Sequence, residues 1–201
     1  VGVADGISNS NRPEKASKLA MQLLSQIESI SRQTIYDLQS SLSAELAEDY
    51  FGSATTFVAA EIDQITRKAK ILSVGDSRAY LIDAQGKWQQ ITQDHSILSE
   101  LLADFPNKKE EDFATIYGGV SSCLVADYSE FQDKIFYQEI EIKQGESLLL
   151  CSDGLTDGLT EEVREKIWKQ YDNDKSRLTV CRKLIAKQGF YDDLSVIICV
   201  F

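Results

Sequence analysis

The sequence has only one histidine, His95, and its four cysteines are scattered without a C-x-x-C pair. Zinc, copper and iron sites usually need several imidazole or thiolate ligands, which this chain cannot supply. A metal site here would therefore be built mainly from oxygen ligands, which favours Mg²⁺, Mn²⁺ or Ca²⁺. Catalysis by a serine–histidine–aspartate triad would depend on His95 alone.

The chain also lacks long apolar runs and an excess of positive charge. No stretch reaches the roughly 20 apolar residues of a membrane helix, and no basic leader followed by an apolar stretch opens the sequence. We therefore expect a cytoplasmic protein with no membrane partner. Acidic residues outnumber basic ones by 32 to 21, for a net charge of −11. We expect no nucleic-acid partner, because such proteins usually present a basic face.

Apolar segments and helical patterns follow one another irregularly along the 201 residues. The predicted strands cover about residues 1–4, 55–62, 69–83 (two strands around Gly75-Asp76), 88–92, 135–142, 147–151 and 191–201, the last of them buried. The predicted helices cover about residues 13–31, 34–49, 96–105, 160–170 and 176–188, with a solvated loop at 107–112. This order is not a βαβ alternation. It predicts one α+β domain over residues 1–201, with helices packed on mainly antiparallel sheets.

Aspartates recur at the ends of strongly apolar segments. Asp5 follows VGVA, Asp153 follows LLLCS, and the pair Asp192-Asp193 directly precedes LSVIICV. If these strands are neighbours in one sheet, their carboxylates meet at one edge, where mutual repulsion favours a divalent cation. Asp-Gly is also among the commonest turn dipeptides, so ordinary turns remain an alternative explanation of the pattern.

Six segments in a fixed order give a more specific resemblance. They are VGVADG, GSATTFVAA, VGDSRAYLI, ITQDHS, LLLCSDGLTDGL and YDDLSVIICV, which together run over essentially the whole chain. In this order they resemble the motifs of the metal-dependent, type 2C serine/threonine protein phosphatases, and a bacterial member in particular. The resemblance implies two packed, mainly antiparallel sheets flanked by helices, an α-β-β-α sandwich. It also implies that VGDSRAYLI forms a hairpin.

The resemblance implies a ligand set for two Mn²⁺ or Mg²⁺ ions. Asp5 would bridge the ions, Gly6 would offer its carbonyl, and Asp153 and Asp192 would complete the set. These three aspartates would be the catalytic residues. A water bridging the two ions would hydrolyse phosphoserine and phosphothreonine in proteins directly, without a protein nucleophile. The implied partners are phosphoproteins, and the implied cellular role opposes a serine/threonine kinase.

Two further acidic positions belong to the implied site. Asp76, in the G-D-S-R motif, would help Asp153 to bind a third, weaker ion. Asp193 stands where the family more usually has asparagine, so either Asp192 or Asp193 could reach the metal; we favour Asp192.

The chain departs from the family's first motif, which commonly reads D-G-x-G-G. Here Ile7 and the polar residues 8–10 follow Asp5-Gly6, and we expect residues 8–10 to cap the next helix. Ile7 also occupies the position where many eukaryotic members carry a histidine that acts as a general acid. His95 belongs to a different motif, and we expect a structural role for it.

Other departures concern substrate binding. The family's phosphate-binding arginine lies in an upstream segment that is not part of this chain, and Arg12 and Arg78 are the nearest substitutes. We expect Arg78 to form a structural ion pair instead. The segment after ITQDHS, where family members carry a mobile flap, is compact and contains a turn at Gly118-Gly119 that we expect to be flexible.

Two other functions remain open at this point. One is a catalytically inactive phosphatase-like module that binds a phosphoprotein or a regulatory partner. The other is a structural domain stabilised by Ca²⁺, although no EF-hand spacing is present. The retained Asp5, Asp153 and Asp192 favour the active enzyme.

Overall fold

The computed structural model describes residues 1–113, 119–128, 131, 134–189 and 192–201. The strands are β1 (Gly2–Val3), β2 (Ala54–Thr55), β3 (Phe57–Asp63), β4 (Lys68–Val74), β5 (Arg78–Ile82), β6 (Trp88–Gln90), β7 (Leu124–Val125), β8 (Phe136–Glu141), β9 (Ser147–Cys151) and β10 (Val196–Val200). The helices are α1 (Pro13–Leu24), α2 (Arg32–Leu46), α3 (Ile97–Asp104), α4 (Asp153–Thr156), α5 (Glu161–Gln170) and α6 (Asp174–Lys187), with a 3₁₀ helix at Glu110–Asp112. No helix in these described ranges is both long and apolar enough to cross a membrane.

The strands form two four-stranded antiparallel sheets. The first sheet has the order β1-β3-β4-β8, and the second sheet has the order β10-β9-β5-β6. A separate short ladder pairs β2 with β7. Helices α1 and α2 cover the first sheet, and α5 and α6 cover the second. The predicted α-β-β-α sandwich is therefore confirmed.

Strand β9 illustrates how the sequence builds these layers. Its side chains alternate between two faces, as strand geometry requires. Leu149 packs in the core under α5 and α6, whereas Leu148 and Leu150 pack in the core between the two sheets. All three side chains are fully buried, and burial of each stabilises the fold by about 1.5–3 kcal/mol. The continuous apolar run correctly predicted a central strand.

The G-D-S-R segment is not a hairpin, contrary to our expectation. Strand β4 pairs with β3 and β8 in the first sheet, whereas β5 pairs with β6 and β9 in the second. Residues 75–77 therefore carry the chain from one sheet to the other. Gly75 makes this sharp crossover with φ +98°, a conformation that glycine adopts without strain.

Two predicted elements are interrupted by tertiary contacts. The first helix ends at Leu24 rather than near residue 31, because i→i+3 bonds close it and the following chain turns toward β3. There the Ile30 amide donates to the Glu61 carboxylate at 2.8 Å. The predicted strand 55–62 divides around Thr56, because β2 pairs with β7 while β3 pairs with β4.

Other predicted boundaries shift by a few residues. Helix α2 ends at Leu46 rather than near residue 49, and α6 begins two residues early because Asn173 caps it. The 3₁₀ helix lies within the predicted loop 107–112. Strand β10 is half-buried rather than buried, because it forms an edge of the second sheet and pairs only with β9.

Candidate metal centre

Three carboxylates from distant parts of the chain meet at one end of the sandwich. Asp5 follows β1 in the first sheet, Asp153 follows β9 in the second sheet and opens α4, and Asp192 precedes β10. Their carboxylate oxygens lie within 4.8 Å of one another. The three strands are not neighbours in one sheet, the condition considered in the sequence analysis, because Asp5 reaches the site from the opposite sheet.

The backbone of Asp5 is held by two threonines. The Thr56 amide and the Thr55 hydroxyl both donate to the Asp5 carbonyl, at 2.8 and 2.7 Å. The Asp5 amide donates in turn to Thr56 Oγ1 at 3.3 Å. These bonds orient the Asp5 side chain toward the cavity, since its main chain is fixed on both sides.

Gly6 follows Asp5 and lines the same cavity. It lies opposite Thr55 in an antiparallel bridge. The hydrogen bonds of this bridge are made by the residues on either side of Gly6 and Thr55. The N–H and C=O of Gly6 itself therefore point away from Thr55. An added Cβ would lie 2.7 Å from Pro13, the first residue of α1. A glycine here lets α1 pack close and leaves a carbonyl for another partner.

Hydrogen bonds of the Ser152 side chain hold the segment that carries Asp192 in place. Its hydroxyl donates to the Asp193 carbonyl at 2.9 Å and accepts from the Ser195 amide at 3.1 Å. Gly154 permits this approach, because a Cβ at that position would lie 2.5 Å from the Asp193 carbonyl oxygen. The S-D-G motif therefore supplies one carboxylate, Asp153, and positions a second.

Asp76 lies on the same cavity, which has a volume of about 230 Å³. The side chain of the neighbouring Arg78 pairs with Asp94 instead of lining the cavity: its Nε lies 2.9 and 3.0 Å from the two carboxylate oxygens of Asp94. The predicted structural ion pair of Arg78 is confirmed. The pair fixes the start of β5 and therefore the turn that presents Asp76.

Burial and crowding raise the pKa of these carboxyl groups. The pKa of Asp5 rises to about 7, first because the group is buried and then because the charges of Asp153 and Asp192 are close. Burial and the Asp153 charge also raise the pKa of Asp76 to about 7. The pKa of Asp153 is raised by burial and by Asp192. The ionised cluster is thus destabilised unless positive charge offsets it.

A divalent cation fits this set of donors. The described residues that line the cavity include four carboxylates, of Asp5, Asp76, Asp153 and Asp192, and no lysine or arginine. Hard cations such as Mg²⁺ and Mn²⁺ prefer oxygen ligands, and a cation would remove the repulsion that raises the pKa values.

Other predicted residues stand apart from the cluster. The Asp193 carboxylate is not one of the three that lie within 4.8 Å, and its carbonyl bonds to Ser152. Arg12 is exposed, 3.6 Å from the Glu14 carboxylate. Gly119 lines the cavity, while Gly118 lies outside the described residues.

The expectation that residues 8–10 cap the following helix is wrong. The N-cap of α1 is Arg12, in a left-handed conformation and without a side-chain cap bond. Ser10 is not available for capping, because its hydroxyl accepts from the Ala54 amide at 3.1 Å. Pro13 does begin the helix, as its fixed φ predicts.

Sequence reasoning missed the residues that hold the carboxylates in place. Thr55, Thr56 and Ser152 lie inside the recognised motifs, and their hydroxyl groups bond to the backbone of Asp5 or Asp193. Their position inside the motifs was the signal that could have identified them. It did not indicate which backbone groups they would bind.

Comparisons with known proteins agree with this fold. A family model described as Protein phosphatase 2C matches residues 1–180. The serine/threonine phosphatase stp of Listeria monocytogenes is 31% identical over 211 residues, covering 98% of this chain and 82% of that protein. Protein phosphatase PhpP of Streptococcus pneumoniae is 32% identical over 119 residues, covering 59% of this chain and 46% of that protein.

Solved structures share the fold at lower identity. Serine/threonine phosphatase Stp1 from Staphylococcus aureus has a TM-score of 0.83 at 24% identity, covering 100% of this chain and 82% of that one. A structure of the catalytic domain of the phosphatase PstP in complex with two manganese ions has a TM-score of 0.74 at 23% identity, covering 98% and 85%. The family resemblance of the six motifs is confirmed: the chain belongs to the protein phosphatase 2C family.

Proposed function

We propose that this chain is a metal-dependent serine/threonine protein phosphatase in which Asp5, Asp153 and Asp192 are the catalytic, metal-binding carboxylates. The observation that carries the proposal is the meeting of these three side chains within 4.8 Å, in a chain of this family. Since they come from both ends of the sequence, we propose that residues 1–201 act as one catalytic domain.

The chain's own residues would bind and orient the ions. Bound Mg²⁺ or Mn²⁺ would lower the pKa of a water and offset charge on the phosphoryl oxygens during hydrolysis. Asp5, whose carboxylate lies within 4.8 Å of those of Asp153 and Asp192, would help to hold both ions, and the Gly6 carbonyl would be a further ligand. The described lining includes no cysteine or histidine, so the residues favour attack by water rather than by such a side chain.

The number and kind of ions are part of the proposal. Two manganese ions are present in the structure of the related PstP, which supports two ions here. Asp76 lies close enough to Asp153 for their charges to interact, which supports a third, weaker ion between them. Both Mg²⁺ and Mn²⁺ suit carboxylate and water ligands, and either would serve.

The physiological setting also remains a proposal. The substrates would be phosphoproteins, and the enzyme would oppose a serine/threonine kinase. The four cysteines are free, and Cys151 and Cys181 are buried thiols, which fits the cytoplasm. Fractionation of cells followed by an assay of each fraction would test this location.

Hydrolysis of a phosphothreonine peptide tests the activity. We expect turnover with Mn²⁺ and none with EDTA. We expect Asp153→Asn or Asp192→Asn to reduce turnover at least about a hundredfold, because each variant removes a carboxylate that would hold a cation, and with it the positive charge that would offset the phosphoryl oxygens. Asp193→Asn is the comparison variant and should lose much less.

Two results would contradict the proposal in different ways. Equal turnover with Mn²⁺ and with EDTA would exclude the metal mechanism. A wild-type chain that binds the phosphopeptide without hydrolysing it would support the alternative of an inactive binding module.

A further inference from the structure

The turns that carry Asp5 and Asp76 belong to different sheets, yet a buried pair of hydroxyl groups joins them. Thr56 precedes β3 in the first sheet, and Ser77 precedes β5 in the second. Thr56 Oγ1 and Ser77 Oγ lie 2.7 Å apart, and the two residues are only 4% and 1% exposed. This hydroxyl bridge therefore connects the sheets at the cavity of the carboxylates, which Thr56 also lines.

The first end of the bridge is fixed to Asp5. Thr56 exchanges bonds with this residue: its amide donates to the Asp5 carbonyl at 2.8 Å, and its Oγ1 accepts from the Asp5 amide at 3.3 Å. A shift of the Thr56 hydroxyl would therefore move the main chain of Asp5.

The second end of the bridge is fixed to the turn that carries Asp76. An added Cβ on Gly75 would lie only 2.7 Å from Thr56 Cβ, so the turn wraps closely around the threonine. On the other side, the Gly75 amide donates to His95 Nδ1 at 3.1 Å, and the His95 amide donates to the Gly75 carbonyl at 2.9 Å. The turn is thus held between Thr56 and His95.

We propose that the Thr56–Ser77 hydroxyl bridge is a positioning device that sets the distance between the carboxylates of Asp5 and Asp76 before a cation binds. The inference rests on the proposed function and deepens it. The Asp5 and Asp76 carboxylates line one cavity, where ionised carboxylates repel, and the bridge joins the turns that carry them, so it opposes their separation. Outer residues that orient metal ligands in this way change affinity when they are removed.

Variants that remove either hydroxyl test this role. We expect Thr56→Val and Ser77→Ala each to weaken Mn²⁺ binding about tenfold in isothermal titration. The double variant should bind Mn²⁺ only slightly more weakly than the weaker-binding single variant, because either change breaks the same bridge. Thr56→Ser keeps the hydroxyl and should bind like the wild type. With a phosphothreonine peptide as substrate, kcat should decrease by a larger factor than that by which KM changes.

Ser73→Ala is the matched control. Ser73 lies in β4 of the first sheet and, like Ser77, is a buried serine, but its hydroxyl has no hydrogen-bond partner among the described residues. It should leave Mn²⁺ binding unchanged. If Thr56→Val and Ser77→Ala bind Mn²⁺ like the wild type and only melt at a lower temperature, the positioning role is wrong although the proposed function stands. If Thr56→Val does not fold, Ser77→Ala alone decides. A wild type that binds no Mn²⁺ would contradict both proposals.

Discussion

Gly154 occupies a helical position at which alanine would ordinarily be preferred. Propensity alone predicts that Gly154→Ala stabilises a helix by up to about 1 kcal/mol. The new Cβ would instead lie 2.5 Å from the Asp193 carbonyl oxygen. We expect a net destabilisation of about 1–3 kcal/mol, as for other overpacked sites. Urea unfolding of the metal-free Gly154→Ala protein measures this change in the free energy of unfolding. A gain in stability would contradict the expectation and show that the segment at Asp193 can move away from the new Cβ.

At the residue scale, the sequence indicated the proposed ligands but not their supports. Asp5, Asp153 and Asp192 were selected because they follow or precede apolar strands and because the resemblance to the type 2C phosphatases implies them as ligands. Thr56 and Ser152 were not identified, since a hydroxyl can bond to many groups and its partner depends on the folded structure. The capping role expected for residues 8–10 failed for the same reason, because Ser10 bonds to Ala54 instead.

At the element scale, the N-termini of α6 and α5 allow a capped helix to be compared with a helix that lacks a side-chain cap bond. The Asn173 side chain accepts from the Ser176 amide at 2.9 Å at the start of α6. Thr160 occupies the equivalent position before α5 but makes no side-chain cap bond. Asn173→Ala should therefore cost about 1 kcal/mol of unfolding free energy, and Thr160→Ala clearly less. Equal losses in urea unfolding would contradict this assignment of caps.

The elements themselves were largely predictable, while their ends were not. Thr160 followed by an acidic first turn correctly predicted the start of α5, and a continuous apolar run correctly predicted the central strand β9, which is buried on both faces. Helix α1 ends where i→i+3 bonds close it, and the chain that follows is bonded from Ile30 to Glu61, which lies far away in the sequence. The pairing of β4 and β5 in different sheets likewise cannot be deduced from a turn that could equally close a hairpin.

Stability of the whole metal-free molecule should depend on pH. The carboxyl groups of Asp5 and Asp76 have a pKa of about 7 in the folded protein and about 3.8 in the unfolded chain. The folded state then binds more protons as pH falls through 7, so stability increases in that direction. Burial lowers the pKa of His95 in the folded protein. Below pH 6.5 the unfolded chain therefore binds more protons at this residue than the folded protein does, which opposes the gain in stability.

Thermal unfolding in EDTA at pH 8.0 and pH 6.5 measures this dependence. We expect a higher melting temperature at pH 6.5, and a smaller difference in Asp5→Asn, which has no carboxyl to protonate. Saturating Mn²⁺ should raise the melting temperature most at pH 8.0, because it binds the ionised carboxylates. A lower melting temperature at pH 6.5 than at pH 8.0 in EDTA would contradict the pKa shifts.

At the scale of the molecule, the sandwich architecture followed from the motif resemblance, but the geometry of the site did not. From the spacing of the aspartates, we considered only the case of three neighbouring strands in one sheet. The structure instead brings Asp5 from the first sheet to Asp153 and Asp192 at the end of the second. Such convergence depends on how two sheets pack face to face, which spacing along one chain does not encode.

The central claim is that these carboxylates bind a pair of divalent cations. Anomalous diffraction from crystals grown with Mn²⁺ tests it most directly. We predict two manganese peaks between Asp5, Asp153 and Asp192, with Asp5 contacting both, and the loss of at least one peak in Asp153→Asn. A wild-type map without manganese at these carboxylates would contradict the account.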